Sequence, residues 1–323
     1  MWFLQFGPKR ISRTQAASLF ILLAHGIAAA SPPQQPKVAI EPRERLRAPL
    51  RAAPVSANLR LDVTMVLVPV TVTDSLDRPV DNLPSGAFRI FEDGVEQRVA
   101  SVLREEGPVS VGFVFDASSS MKGRMEKSIE AVQTFLKSMM PGDEFFLIRF
   151  NDQPIQLTGF TSDPDVVLGA LSFVTPEGWT ALHDAICLGI QRMKSAKNSR
   201  RALFVLTDGD DNNSRYSETE VRSLAKESNV RVYSIGLINR PKFLEKIAAD
   251  TGGRSYSAPK LEDLPKAVET LSREFRNTYV LGYSSQNEEH DGKYRSVRVE
   301  ILDTLSRLPL HVFWKRGYYA PLE

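Results

Sequence analysis

With Cys187 as its single cysteine in 323 residues, the chain has no intramolecular disulfide available to it. That residue sits in "HDAICLGI", where the helical spacing of its apolar neighbours predicts a buried, inert thiol. Histidine is scarce too: of four, His25 lies near the start, and His183, His290 and His311 show no motif context for a catalytic triad. There is no G-x-S-x-G elbow. Beyond the first thirty residues no apolar run approaches the roughly 20 residues a membrane-spanning helix needs. A strong excess of one charge is missing as well, the formal net charge being +2. Its one basic run, "EPRERLRAPLR", lies among prolines rather than on a folded face, so nothing in the balance argues for nucleic acid.

What is present begins with a leader-like pattern. Lys9, Arg10 and Arg13 precede an apolar stretch from Ala16 to Ile27, and Ala28-Ala29-Ala30 offers a small-residue cleavage site, so residues 1–30 read as a secretory signal peptide. No cysteine stands nearby to carry a lipid anchor. This segment holds three positive charges and no negative one, so the chain without it has a net charge of −1. The expectation is an exported protein of the periplasm, cell surface or medium, with no membrane span after signal removal. Export without disulfides suits a bacterial envelope better than a disulfide-rich extracellular module.

The remaining 42% hydrophobic, 25% charged chain has ordinary globular composition. Residues 31–58 carry Pro32, Pro33, Pro36, Pro42, Pro49 and Pro54 and read as an extended linker. An N-terminal β segment, 59–106, follows, with a hairpin signal at Asp93-Gly94. From 107 to 276 strand and helix alternate. "VSVGFVFD", "EFFLIRF", "RALFVLTD" and "VRVYSIGL" are the strands, with helices expected at Asp165 to Leu171, Ala181 to Lys194, Glu218 to Glu227, Lys242 to Thr251 and Leu261 to Phe275. Strict succession predicts an α/β fold with a doubly wound, Rossmann-like parallel sheet covered on both faces. Residues 277–323 return to β. The two β flanks are expected to form one small β-sandwich, with two separate β units as the alternative.

In an open α/β sheet, ligands sit outside the carboxyl ends of the strands. Asp116, Ser118 and Ser120 follow the first strand in "GFVFDASSSMKG", Asp208 follows "RALFVLT", and Thr180 precedes a helix. All five can converge on one rim. Their carboxylate and hydroxyl oxygens are hard donors, suited to Mg²⁺, Mn²⁺ or Ca²⁺. Each residue also has a plain structural role open to it: Asp116, Ser118 and Thr180 as helix caps, Asp208-Gly209 as a turn.

Asp116-x-Ser118-x-Ser120, Thr180 in "GWTALHDAI" and Asp208 in "LTDGDDNNS" together resemble the metal-ion-dependent adhesion site of von Willebrand factor type A domains. The resemblance runs from about Pro108 to Phe275. The flanks "FRIFEDGVEQRVASVL" and "YVLGYSSQNEEHDGKYRSVRVEI" look like those of exported bacterial members of the related group. It implies a divalent cation, Mg²⁺ first, coordinated directly by the serines and the threonine and directly or through water by Asp116 and Asp208. A protein partner's Asp or Glu then completes the shell. Trp179 departs from the pattern, since related sequences often carry glycine before the threonine; its ring either narrows access or offers a partner an apolar contact.

Competing motifs are weaker. Ser119-x-x-Lys122 lacks the S-D-N and K-T-G partners of the β-lactamase mechanism. "DGDDNNSRYSET" fails an EF-hand loop at Asn213 and Thr219, which leaves Asp210 and Asp211 as a solvated loop. No lysine completes a phosphoryl-transfer pattern. The leading expectation is therefore a non-enzymatic, exported, metal-dependent protein-binding module for adhesion or scaffolding. The alternatives are a serine hydrolase using the Ser118–Ser120 run and a purely structural envelope domain.

Overall fold

The computed structural model describes residues 65–238, 241–302 and 309–322. The expected signal peptide, the proline-rich linker and the first residues of the N-terminal β segment lie outside them. All described residues fall within one compact unit.

Four strands precede the α/β region: β1 (Met65–Thr73), β2 (Phe88–Glu92), β3 (Val95–Gln97) and β4 (Val99–Arg104). Asp93 and Gly94 both adopt positive φ, 48° and 84°, the backbone that a two-residue hairpin joining β2 to β3 requires. Then come β5 (Val109–Asp116), α1 (Met125–Leu136), β6 (Glu144–Phe150), β7 (Pro154–Thr161), α2 (Pro164–Leu171), α3 (Leu182–Arg192), β8 (Arg200–Thr207), α4 (Glu218–Glu227), β9 (Val230–Leu237), α5 (Lys242–Thr251), β10 (Ser255–Ala258) and α6 (Leu264–Arg276). The tail supplies β11 (Tyr279–Ser284), β12 (Tyr294–Ile301), β13 (His311–Trp314) and β14 (Gly317–Tyr319).

The central sheet runs β10-β9-β8-β5-β6-β7. Its inner pairings are parallel, but β7 runs antiparallel to β6. The expected doubly wound parallel sheet is present, and the antiparallel edge strand β7 makes it a mixed one. Only Asn151 to Gln153 separate β6 from β7, too few residues for the crossover a parallel strand needs, so the chain doubles back as a hairpin. As an edge strand, β7 is largely half-buried and carries few of the signals by which strands are read. The last helix also starts later than expected, because Leu261–Asp263 form a 3₁₀ turn before α6.

β5 is buried at all eight positions, as a central strand covered on both faces must be. On one face Phe113 and Phe115 pack with Phe135, Phe204 and Phe275. On the other, Val114 meets Phe146, Leu203 and Ile190. Gly112 lets these side chains close over the strand: a Cβ there would lie 2.3 Å from Phe146 Cζ and 2.7 Å from Leu203 Cδ2.

The β flanks interleave. One sheet is β13-β1-β11-β4 and another is β14-β12-β2-β3, so each takes two strands from before the central region and two from after it. Between them Val68, Val70, Ile90, Leu281, Tyr283 and Val299 share one apolar core, which makes the flanks one sandwich rather than two units. Arg254, just before β10, ties that sandwich to the central sheet. Its guanidinium pairs with Glu274 of α6 and, at 2.5 Å, with Asp77 beyond β1. It also stacks 4.5 Å from the Phe313 ring centre.

Burial raises the Glu274 carboxyl to about 7, against the opposing pull of Arg254. Because the folded-state value exceeds the ordinary one, this group's contribution to stability is fully present below about pH 4.5 and is lost as pH rises through about 7. The thermal midpoint is expected to fall between pH 5 and 8, and Glu274→Gln, which cannot ionise, to flatten that fall in a calorimetric series. Gly112→Val is expected to cost about 1–3 kcal/mol by overpacking the core around Phe146 and Leu203, as read from urea unfolding.

Candidate metal centre

Strand order reverses between β5 and β8, which are neighbours although α1, β6, β7, α2 and α3 separate them in sequence. A crevice opens at such a point beyond the carboxyl ends of the strands. Asp116 is the last residue of β5, and Asp208 directly follows β8.

Asp116 is fully buried. Its Oδ2 accepts the Thr207 hydroxyl at 2.6 Å, and its Oδ1 accepts the Ser118 backbone N–H at 2.8 Å. The second bond is the local turn an aspartate makes with the residue two positions on. Burial pushes this carboxyl's pKa up, while hydrogen bonds from Thr207 and Ser118 and the charge of Arg124 pull it down. The Ala117 N–H donates to Phe150 O at 2.7 Å, locking the loop onto the end of β6.

From this anchor the alternate residues face one point. Ser118 is buried, and its Oγ lies 3.0 Å from Ser120 Oγ. The Ser120 hydroxyl donates to Asp208 Oδ1 at 2.7 Å. Ser119, the spacer, is exposed and uses its backbone N–H on Gly178 O at 3.1 Å. Thr207, Asp116, Ser118, Ser120 and Asp208 thus form one hydrogen-bonded chain across the ends of two strands.

Thr180 arrives from the loop before α3. Gly178 turns that loop at φ 74°, where a Cβ would lie 2.6 Å from Asp152 Oδ1. The same Asp152 oxygen accepts the Trp179 N–H at 2.7 Å. Thr180 then exchanges two bonds with Asn212: its N–H donates to Asn212 Oδ1 at 2.8 Å, and its carbonyl accepts the Asn212 N–H at 3.0 Å. Ser118, Ser119, Ser120, Gly178, Trp179, Thr180 and Asn212 line one cleft of 360 Å³. Trp179 stands 64% exposed on its rim.

The plain capping roles are not what these residues perform. Ser118 precedes the short 3₁₀ turn Ser119–Met121 without a side-chain cap bond. α1 begins only after Arg124, and the residue before α3 is Ala181. Asp211 differs from the expected solvated loop: its Oδ1 accepts the His183 N–H at 3.1 Å and the Ser214 hydroxyl at 2.5 Å, anchoring the start of α3. His183 is engaged there, with Nδ1 3.1 Å from Tyr216 O and its ring 4.3 Å from that of Phe243. Cys187 is buried, and that burial pushes its thiol up to about 12.

Sequence reasoning missed two groups that matter here. Thr207 precedes Asp208 directly, yet nothing in a strand-end threonine marks it as the donor to a carboxylate 91 residues away. Arg124 is the other. Its Nη1 donates to Ser120 O at 2.7 Å and pairs with Asp208 Oδ2, placing a positive charge beside the rim. Among the described residues no three His, Cys, Asp or Glu side chains gather about one point. The donors brought together are two carboxylates and three hydroxyls, the oxygen set that hard divalent cations take.

A model of the von Willebrand factor type A domain family matches residues 110–270, a span containing all five candidate residues. Among curated proteins, the chain is 27% identical over 186 residues to inter-alpha-trypsin inhibitor heavy chain H4 of Bos taurus, covering 50% of this chain and 20% of that protein. It is 28% identical over 141 residues to an uncharacterized protein of Borreliella burgdorferi, covering 41% of each. The chain therefore spans a fifth of the first relative's length and two fifths of the second's. Solved structures similar to it include proximal thread matrix protein 1 from the mussel byssus with a zinc-occupied MIDAS motif, at 21% identity and TM-score 0.48, covering 57% of this chain and 49% of that one. Another is a von Willebrand factor type A structure from Catenulispora acidiphila, at 12% identity and TM-score 0.48, covering 79% and 73%. Residues 110–270 are a von Willebrand factor type A domain, and it is through this domain that the chain belongs to the family.

Proposed function

We propose that Asp116, Ser118, Ser120, Thr180 and Asp208 hold a divalent cation, Mg²⁺ before Mn²⁺ or Ca²⁺, and that the chain is an exported, non-enzymatic module binding a protein partner through that partner's Asp or Glu. Proteins with this domain act in adhesion and protein binding. The observation that carries the reading is the convergence of the five oxygen donors on one rim, four of them in a continuous hydrogen-bonded chain.

Bound there, such a cation supplies an electrophilic position for a carboxylate from outside. The chain's own residues set the terms. Three of the five donors are neutral, so two carboxylates provide all the negative charge, and a third carboxylate is electrostatically welcome. Thr207 fixes Asp116 by a 2.6 Å bond from within the core, so that carboxylate is oriented before anything binds. Trp179 gives the rim an exposed aromatic surface, the residue type that anchors protein interfaces. Export is supported by the charged, then apolar, then small-residue order of residues 1–30.

Isothermal titration of the full chain with Mg²⁺, alongside pull-down from envelope extract with Mg²⁺ and with chelator, tests the reading. Asp116→Ala and Ser120→Ala are expected to abolish both signals while far-UV circular dichroism stays unchanged; capture that persists in chelator would sink it. Arg124 is partly exposed and places its guanidinium on the buried Asp208 carboxylate, so Arg124→Ala is expected to tighten Mg²⁺ by about threefold to tenfold. An unchanged affinity in that variant shows that the guanidinium does not compete with the cation for Asp208.

A further inference from the structure

A second cavity, of 440 Å³, lies at the opposite end of the central sheet, where the starts of β8 and β9 meet strands of both sandwich sheets. Arg200 opens β8 and Asp208 follows its end, so the two sites are separated by the strand, roughly 25 Å at about 3.3 Å per residue. Its volume is within the range of small-molecule sites, about 300–1,000 Å³.

One end of this cavity is unusually cationic. Arg200, Arg201, Arg231 and Lys315 line it, and among the described residues Glu105 is the only carboxylate that does. Arg200 and Arg231 are 6% and 5% exposed. They share a single carboxylate oxygen, Glu105 Oε2, at 3.4 Å from Arg200 Nε and 2.6 Å from Arg231 Nη2, and their other terminal nitrogens donate to neutral groups: Arg200 to Gly107 O at 2.8 Å and Phe275 O at 3.1 Å, Arg231 to Thr278 Oγ1 at 3.1 Å. Arg200 Nε has no hydrogen-bond partner among the described residues. Lys315 donates to Ser228 O at 2.9 Å, its one hydrogen bond among the described residues. Burial alone pushes its ammonium's pKa down. Cations withdrawn from water without matching anions are costly, and an incoming anion relieves that cost.

The other wall is apolar. Val68 and Val70 of β1 point into the sandwich core, so the alternate residues Leu67 and Pro69 face outward. Leu67 is 61% exposed, and Val280 of β11 pairs opposite Pro69. All three line the cavity.

We propose that this cavity binds a small amphiphilic carboxylate, its head against Arg200, Arg231 and Lys315 and its hydrocarbon along Leu67, Pro69 and Val280. The excess positive charge at this end, with the Lys315 ammonium nearest to being free, suits a carboxylate head, and the wall beside it suits an alkyl chain. The site is separate from the metal reading and does not rest on it.

Decanoate is the probe, titrated calorimetrically into the full chain and followed by thermal shift, with 1-decanol and acetate as controls for the two halves of the ligand. Decanoate is expected to bind and raise the melting temperature, and the controls to do neither. Lys315→Met, by losing a charge-assisted contact, and the exposed Leu67→Glu, by putting a carboxylate where the hydrocarbon lies, are each expected to weaken decanoate at least about tenfold, while Mg²⁺ affinity stays at the wild-type value. Absence of decanoate binding, equal binding of 1-decanol, or wild-type decanoate affinity in both variants overturns the proposal.

Discussion

The candidate site depends on a carboxylate placed where carboxylates are expensive. Asp116 ends a strand with no exposed residue and has no exposed surface of its own. Burial of that kind is tolerated only when both oxygens are engaged. Thr207 and the Ser118 N–H engage them, and in doing so they join the ends of β5 and β8 and curl the following loop back on itself. Ser118 and Ser120 are aligned by this curl, so one buried acid sets both the loop's shape and the direction of its hydroxyls.

The rest of the chain serves that arrangement at a distance. β5 can occupy the centre of the sheet only because Gly112 lets Phe146 and Leu203 pack across it. The sandwich is built from segments on either side of the central region, so both entry and exit of that region are clamped in one β core. Arg254 links the two layers through Glu274 and Asp77, a junction partly ionic and partly stacked on Phe313. The two ends of the sheet differ in character: carboxylates and hydroxyls at the strand ends around Asp116, crowded arginines at the strand starts around Arg200. Backbone direction underlies this difference, since parallel strands present all their C-termini on one side and all their N-termini on the other.

Much of this was legible in the linear chain. "VSVGFVFD" announces a doubly covered strand because a parallel strand needs apolar residues on both faces, and Asp93-Gly94 announces its hairpin because both residues tolerate positive φ. β7 was not legible. An edge strand exposed on one side lacks a continuous apolar signature, and only the short link after β6 forces its direction. Nor was the role of Asp211, whose acidic neighbours disguised a helix anchor as a solvated loop.

By itself the sequence determined the alternation of strand and helix, the three segments bearing the candidate donors and their oxygen chemistry, because periodicity and residue type are local properties. Tertiary structure alone decided that β5 and β8 lie side by side, that Thr207 reaches Asp116, that Arg124 rests on Asp208, and that four cations meet an apolar wall at the other end. Those are contacts between residues far apart in the chain, created by sheet order, and no local pattern encodes which strand ends will be neighbours.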